Sequence, residues 1–279
     1  MSIKDHPQDY KDLKRAVALL ESPSLTAKLS GLLGSPIEGA VKALPEAVSK
    51  KINGAVTAAL HASADAALRS LENQPKKPAS TRLHKLYAAT SGAVGGAFGF
   101  TALFLELPVS TTIMMRSVAD VARSEGFDLQ DFATQQACIE VFAMGGNSQA
   151  DDATETGYYL TRSFTTQTMQ QLAKELAAMA AKQGAGAASR LTPGQAGKWL
   201  AVLIEKVAGR FGVTISSKFA AQAVPVIGAF TGATINALFT DFYQDMARGH
   251  FTVKRLEDKY GYESIKSEYE AIVSKRLVG

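Results

Sequence analysis

Asp241, Asp245 and His250 are the residues whose types and spacing come nearest to a chemical site. The two aspartates stand four positions apart, so on a helix their carboxylates share one face. An imidazole near them could complete a metal site of oxygen and nitrogen ligands, or act with them as a general acid/base pair. Glu106, a lone acidic residue at the end of a long uncharged stretch, is the fourth candidate. These four residues define one hypothesis, a hydrolase-like enzyme of unspecified class with its site in a helical pocket.

A purely structural explanation of the same residues competes with the enzymatic one and is the stronger of the two. Gly249 is suited to end a helix in the left-handed conformation. His250 would then lie beside the helix C-terminus, where the helix dipole favours a protonated imidazole. Asp245 can pair with Arg248, three positions later on the same helix. The sequence therefore leaves open whether the protein is an enzyme.

The histidines and the cysteine form no recognisable metal-binding motif. The histidines are His6, His61, His84 and His250. None is spaced from another as zinc ligands are, and a single cysteine, Cys138, excludes an internal disulfide and every multi-cysteine site. The glycines of SGAVGGAFG at Ser91–Gly99 resemble a dinucleotide-binding loop, but no strand precedes them. The sequence predicts neither a metal nor a cofactor.

The composition and the net charge limit the classes of protein to which the chain can belong. Of the 279 residues, 46% are hydrophobic and 20% are charged, which suffices for a folded chain with a substantial core. The net charge of +4 arises from 30 basic residues interleaved with 26 acidic ones, without the dense basic runs that follow a phosphate backbone. We therefore expect no nucleic-acid partner. One cysteine fits a reducing compartment, and the N-terminal residues are charged where a secretory signal is apolar, so the expected location is the cytoplasm.

Two long uncharged segments organise the chain. Leu86–Leu105 and Phe219–Thr240 each contain no charged residue over a length that could cross a bilayer as a helix. Both are rich in glycine and alanine, and small residues four positions apart form rows along which a second helix can approach closely. We expect the two segments to pair along such rows. The predicted packing residues are Gly92, Gly96, Gly99, Gly228 and Gly232.

The remaining pattern is helical. Apolar residues recur at helical spacing, and neither alternating strand patterns nor hairpin turns occur. The predicted fold is all-α, a multi-helix bundle organised around the two segments. QPKKPAS at 74–80 holds two prolines and two lysines and interrupts the helical pattern. We therefore divide the chain into an N-terminal helical subdomain at 1–73, a linker at 74–84 and a helical core at 85–279.

Three stretches carry a resemblance to a known family. They are LPVSTTIMMRSVADVARSEG at Leu107–Gly126, ACIEVFAMGG at Ala137–Gly146, and AAQAVPVIGAFTGATINALFTDFYQDMARGHF at Ala220–Phe251. In their amino-acid sequence and in their order along the chain they are similar to the EcsC family of bacterial proteins. The resemblance covers about residues 85–259. The resemblance implies an association with an ABC transporter, because the family takes its name from a transporter operon. It implies no catalytic residue.

The function that the sequence favours, with the enzyme as its alternative, is that of a membrane-associated or lipid-contacting helical accessory protein, linked to transport or secretion. In this hypothesis the two uncharged segments form a hairpin pair that inserts, lies in the interface or lines an apolar pocket. Its partners would be membrane lipid or an apolar ligand, and an ABC-transporter component. Thr, Asn and Gln residues inside the segments favour peripheral attachment to the inner face of the cytoplasmic membrane over a permanent span, and the basic net charge suits anionic headgroups.

Overall fold

The computed structural model describes residues 2–33, 37–70, 75–97, 100–144, 157–163, 165–167, 193–223 and 232–278. Within these ranges all regular structure is helical and there is no β-strand. The all-α prediction is therefore confirmed.

The helices, in chain order, are α1 (Pro7–Leu20), α2 (Leu25–Leu33), α3 (Glu38–Lys42), α4 (Glu46–Ser70), α5 (Thr81–Ala97), α6 (Phe100–Ser124), α7 (Phe132–Glu140), α8 (157–163 and 165–167), α9 (Pro193–Ala223), α10 (Gly232–Tyr260) and α11 (Tyr262–Val278). Short 3₁₀ turns lie at Ile3–Asp5 and Val141–Ala143. Gly261 separates α10 from α11 with a φ of 88°, a left-handed conformation that glycine adopts without strain and that ends a helix.

Helix α10 lies at the centre of the bundle, where it packs against α1, α5, α6 and α11. Helix α4 packs in turn against α6 and α9. Aromatic side chains join these layers: Phe142 stacks on Tyr243 at a centroid distance of 5.0 Å and meets Phe211 edge-on at 5.1 Å. Because α1 and α4 contribute to the same buried cluster as α6, α9 and α10, one core extends across the predicted subdomain division. That division stays a prediction, although α5 begins at Thr81, inside the predicted linker.

Each of the two uncharged segments is shared between two helices. Leu86–Leu105 falls partly in α5, which ends at Ala97, and partly in α6, which begins at Phe100. Phe219–Thr240 is likewise shared by α9 and α10. The residues that join the two helices of each segment, 98–99 and 224–231, lie outside the described residues.

No helix in the described part of the chain has both the length and the apolar character that a bilayer crossing requires.

Gly249 does not end a helix, contrary to the prediction, because α10 continues through it to Tyr260. The reason for a glycine at this position is a contact with α1. A Cβ atom at Gly249 would lie 2.5 Å from Cγ of Leu20 and 2.9 Å from its Cδ2. Glycine therefore allows α1 and α10 to approach more closely than a larger residue would.

Candidate functional site

A groove runs between α5 and α6 on the outside of the bundle. The two helices are antiparallel neighbours, and the cavity between them has a volume of about 1130 Å³. The apolar part of its lining comes from Leu83, Tyr87, Pro108, Val109 and Ile113. The polar and charged part comes from Lys77, Ser80, His84, Thr90, Ser91, Thr112, Arg116, Asp120 and Arg123. The groove thus has the mixed lining of a site for a molecule with an apolar and a polar part.

Asp120 organises the charged end of the groove. Its carboxylate accepts a hydrogen bond from the backbone N–H of Ser80, lies 3.2 Å from Nε2 of His84 and forms an ion pair with Arg123. Burial acts to raise the pKa of Asp120, but His84, the Ser80 amide and the charge of Arg123 together hold it below its ordinary value. Asp120 is therefore ionised, and its carboxylate is already bound by these three partners. Arg116 lies near it on α6 and is partly exposed in the groove.

The outward faces of α5 and α6, in and beside the groove, expose large hydrophobic side chains to solvent. Large hydrophobic side chains that are between 46% and 81% exposed extend along both helices: Leu83, Leu86, Tyr87, Leu105 and Val109. Those of α5 recur at i, i+3 and i+4, and those of α6 at i and i+4, so each set lies on one helix face. This spacing usually marks a face that packs against another helix. Here no helix in the described ranges covers it.

Glu106 lies beneath the groove, in a buried polar centre. Its Oε2 accepts a hydrogen bond from Nζ of Lys218 at 2.7 Å, and its Oε1 accepts one from Nδ2 of Asn236 at 2.6 Å. Ser91, which lines the groove, donates a third to Oε1 at 3.2 Å. These four residues belong to α6, α9, α10 and α5 respectively. The four helices that share the two uncharged segments therefore meet at one carboxylate.

Burial and the neighbouring charge have opposite effects on the pKa of Glu106, and likewise on the pKa of Lys218. Glu106, Lys218 and Asn236 are each less than 10% exposed. Burial acts to raise the pKa of Glu106, but the charge of Lys218 and the hydrogen bonds of Lys218 and Asn236 hold it below its ordinary value. Burial lowers the pKa of Lys218, partly offset by the charge of Glu106. We therefore assign a charged pair at neutral pH, whose first role is to fix four helices to one another.

Asp241 and Asp245 lie together on α10 and have basic partners. Asp241 forms an ion pair with Lys85 of α5. Asp245 pairs with Nη1 of Arg248 at 2.9 Å, as the i,i+3 spacing indicated. Burial raises the pKa of Asp245 despite the charge of Arg248. Both aspartates thus connect helices or stabilise one helix turn, and their catalytic role stays a prediction.

His250 has a different set of neighbours from the two aspartates. Its ring is fully buried, with Nδ1 3.1 Å from the Tyr158 hydroxyl and Nε2 3.7 Å from Oε2 of Glu140. Burial, followed by the charges of Arg162 and Lys254, lowers the pKa of His250 well below its ordinary value. The imidazole is therefore neutral at pH 7 and is not the protonated helix-end group that the sequence suggested. No group of three or more His, Cys, Asp or Glu residues that could hold a metal occurs in the described ranges.

Another largely buried ion pair lies beside His250. Nη1 of Arg162 donates to Oε1 of Glu257 at 2.5 Å, and the Tyr159 hydroxyl donates to the same oxygen at 3.1 Å. Burial raises the pKa of both Tyr158 and Tyr159 well above the ordinary value, so both stay protonated. The hydrogen bonds of Tyr159 and Arg162 to Glu257 attach α8 to α10.

The predicted packing glycines are only partly within the described residues. Gly92 and Gly96 lie in α5, and Gly232 is the first residue of α10. Gly99 and Gly228 lie outside the described residues. The described parts of the two segments do contact each other, since Nδ2 of Asn236 also donates to the carbonyl oxygen of Ala88 at 3.1 Å. Whether the glycines form the contact stays a prediction.

Sequence reasoning did not assign Lys218, Asn236 and Arg116 to a site. A signal for the first was present: Glu106 and Lys218 are single opposite charges at the borders of two uncharged segments that were expected to pair. A charge that borders a buried segment requires a partner of the opposite sign. Arg116 gave no comparable signal, because its place in the groove depends on how α5 and α6 pack.

Comparison with known proteins gives one match. The family model described as the EcsC protein family matches residues 8–256. The match extends over α1–α4, further toward the N-terminus than the resemblance found at 85–259. No curated protein matches the chain, and no solved structure does.

Proposed function

The chain belongs to the EcsC protein family, and we propose that it is a helical accessory protein that attaches peripherally to anionic membrane surfaces through the outer face of α5 and α6. The observation that carries the proposal is the distribution of exposed hydrophobic side chains. Of the seven large ones that the described residues expose, five lie on these two neighbouring helices. A cluster of this kind is typical of a surface that contacts another apolar phase.

The charges on this face complement an anionic surface. The helix α5 contains no acidic residue. The two acidic residues of α6, Glu106 and Asp120, are buried and paired with basic side chains. Lys77 and Arg116 lie in the groove between the helices. A basic residue near an anionic membrane contributes about 1 kcal/mol of attraction. Burial of the apolar side chains and electrostatic attraction therefore both favour binding of this face to such a membrane.

The geometry favours attachment in the plane of the interface. The exposed apolar residues form one stripe, while the opposite sides of α5 and α6 are packed into the core through residues such as Ala88, Leu107 and Met115. An amphipathic helix of this type lies in the headgroup region with its apolar side chains in the acyl boundary. The proposed location is the inner face of the cytoplasmic membrane. An ABC-transporter component as partner stays a prediction.

Co-sedimentation with lipid vesicles tests the proposal. We expect the protein to sediment with vesicles that contain phosphatidylglycerol and to be released by high salt, because screening weakens the electrostatic part. Leu105→Ser should lower the partition coefficient about tenfold, since burying a leucine side chain contributes about 1.5–3 kcal/mol. The matched control is Val213→Ser, which removes an exposed apolar side chain from α9. An equal effect of the two substitutions, or equal binding to uncharged vesicles, would contradict the proposal.

The enzymatic alternative has no specific observation in its favour. Asp241, Asp245 and His250 contact different partners, and each of those partners has a structural role described above. The hydrolase-like hypothesis therefore stays a prediction.

A further inference from the structure

We infer that the groove between α5 and α6 binds a single anionic lipid molecule, with its phosphate at Arg116 and its acyl chains along Tyr87 and Val109. The inference rests on the proposed membrane attachment. It adds to that proposal a defined site, a ligand class and an orientation of the ligand.

Arg116 supplies the positive charge of the proposed site. Its side chain lines the groove and is partly exposed there. Asp120, the acidic residue of the groove lining, is already engaged by Arg123, His84 and the backbone of Ser80. In the described part of the chain no acidic residue forms an ion pair with Arg116. A planar guanidinium in such a position matches the geometry of a phosphate group.

The size and the lining of the groove suit a ligand with a long apolar part. The volume of about 1130 Å³ slightly exceeds the roughly 300–1,000 Å³ of common ligand pockets and is far more than a free phosphate ion requires. Tyr87 and Val109 are apolar groove residues that are also exposed to solvent. A ligand with a long apolar part would cover them and remove apolar surface from water. The chemistry of the lining therefore fits a lipid better than a soluble anion.

The charges along the groove determine the orientation of the ligand. Arg116 lies ten positions after Glu106 on α6, which corresponds to about 15 Å along the helix axis. Ser91, at the Glu106 end of the groove, already donates to that carboxylate. Glu106 is paired with Lys218 and Asp120 with Arg123, so the two carboxylates do not distinguish the ends of the groove. The additional positive charge of Arg116 lies toward Asp120, where a phosphate can meet it. The phosphate therefore lies at the Arg116 end and the acyl chains extend toward Val109.

Isothermal titration calorimetry with dihexanoylphosphatidylglycerol, kept monomeric and without vesicles, tests the inference. Arg116→Gln should weaken binding about tenfold or more, because it removes a charge-assisted contact to the phosphate. Arg82→Gln is the matched control, since Arg82 is an exposed arginine of α5 outside the groove lining. Thr112→Trp fills the groove without a change of charge and should also prevent binding. Dihexanoylphosphatidylcholine, with the same chains and a balanced charge, should bind at least about tenfold more weakly.

The outcomes separate this inference from the membrane proposal. Selective loss in Arg116→Gln and Thr112→Trp supports the site. Equal affinities of Arg116→Gln and Arg82→Gln, or full competition by inorganic phosphate at the same concentration as the lipid, overturns it. If the wild-type protein sediments with anionic vesicles but does not bind the monomeric lipid, the groove inference is overturned and the membrane proposal stands. If it binds neither, both are overturned.

Discussion

Glu106 and Lys218 are 112 positions apart in the sequence, and their charged atoms meet at 2.7 Å in the core. The pair joins α6 to α9, and Asn236 and Ser91 extend it to α10 and α5. Since Ser91 also lines the outer groove, the same hydrogen-bond network holds the two helices of the proposed membrane face in place.

Breaking this pair from one side should destabilise the protein strongly. Lys218→Met leaves the Glu106 carboxylate buried without its counter-charge, and we expect a loss of about 3–5 kcal/mol in the free energy of unfolding. The double variant Glu106→Gln/Lys218→Met removes both charges and should recover more than half of the loss. Urea unfolding of the three proteins measures both effects.

The control for this prediction is an exposed ion pair. Lys50 and Glu46 form one on α4, with side chains that are 77% and 81% exposed. Lys50→Met should change stability by less than about 0.5 kcal/mol. A loss in Lys218→Met as small as that in Lys50→Met would show that the buried pair does not secure the bundle.

The approach of α1 to α10 at Gly249 gives a second prediction. Gly249→Ala places a Cβ 2.5 Å from Cγ of Leu20, which lies near the root of that side chain, so Leu20 has to move. Overpacking of this kind costs about 1–3 kcal/mol. Gly209→Ala on α9 is the control, because nothing lies within 4 Å of its added Cβ. There the better helix propensity of alanine should stabilise by up to about 1 kcal/mol. Thermal unfolding that shifts both variants in the same direction would contradict this account.

The burial of His250 predicts a dependence of stability on pH. Burial, followed by Arg162 and Lys254, keeps the folded-state pKa well below 6.5, whereas the unfolded chain has an ordinary histidine. As the pH falls below 6.5 the unfolded state takes up a proton that the folded state does not, so folding becomes less favourable. The penalty is absent well above 6.5 and grows by at most about 1.4 kcal/mol per pH unit until the folded-state pKa is reached.

His250→Gln isolates this contribution, because glutamine can still bond to the Tyr158 hydroxyl but does not titrate. We expect the wild-type protein to lose stability relative to this variant as the pH is lowered from about 7.5 to about 5. Urea unfolding at a series of pH values measures the difference. Parallel profiles for the two proteins would mean that His250 is protonated in the folded state or accessible to water.

The all-α fold could be predicted because helical spacing is a local property that the sequence displays directly. Glu106 stands out in the sequence as a lone acidic residue at the border of an uncharged segment, and its catalytic role stays a prediction. Its partners could not be assigned, because Lys218 and Asn236 reach it only after four helices have packed. Gly249 shows the same limit: the sequence suggested a helix end, and the real cause is a contact with Leu20, more than two hundred positions away.

At the proposed membrane face, the spacing of apolar residues predicts burial where the structure shows exposure. Leu83, Leu86 and Tyr87 have the i, i+3, i+4 spacing that normally predicts a buried face. In the structure they are 46%, 59% and 51% exposed, because the bundle is packed against the other side of α5. A pattern of spacing shows that a helix has an apolar face but does not show which phase or element covers it.

The most direct test of the membrane face uses a fluorescent label on α6. Cys138 is fully buried and burial raises the pKa of its thiol, so an added surface cysteine can be labelled selectively. Leu105→Cys and the control Val213→Cys are each labelled with an environment-sensitive fluorophore and mixed with phosphatidylglycerol vesicles. We predict a blue shift and increased intensity at position 105, whose native side chain is 81% exposed, and no change at position 213. No change at position 105, or the same change at both positions, would contradict attachment through α5 and α6.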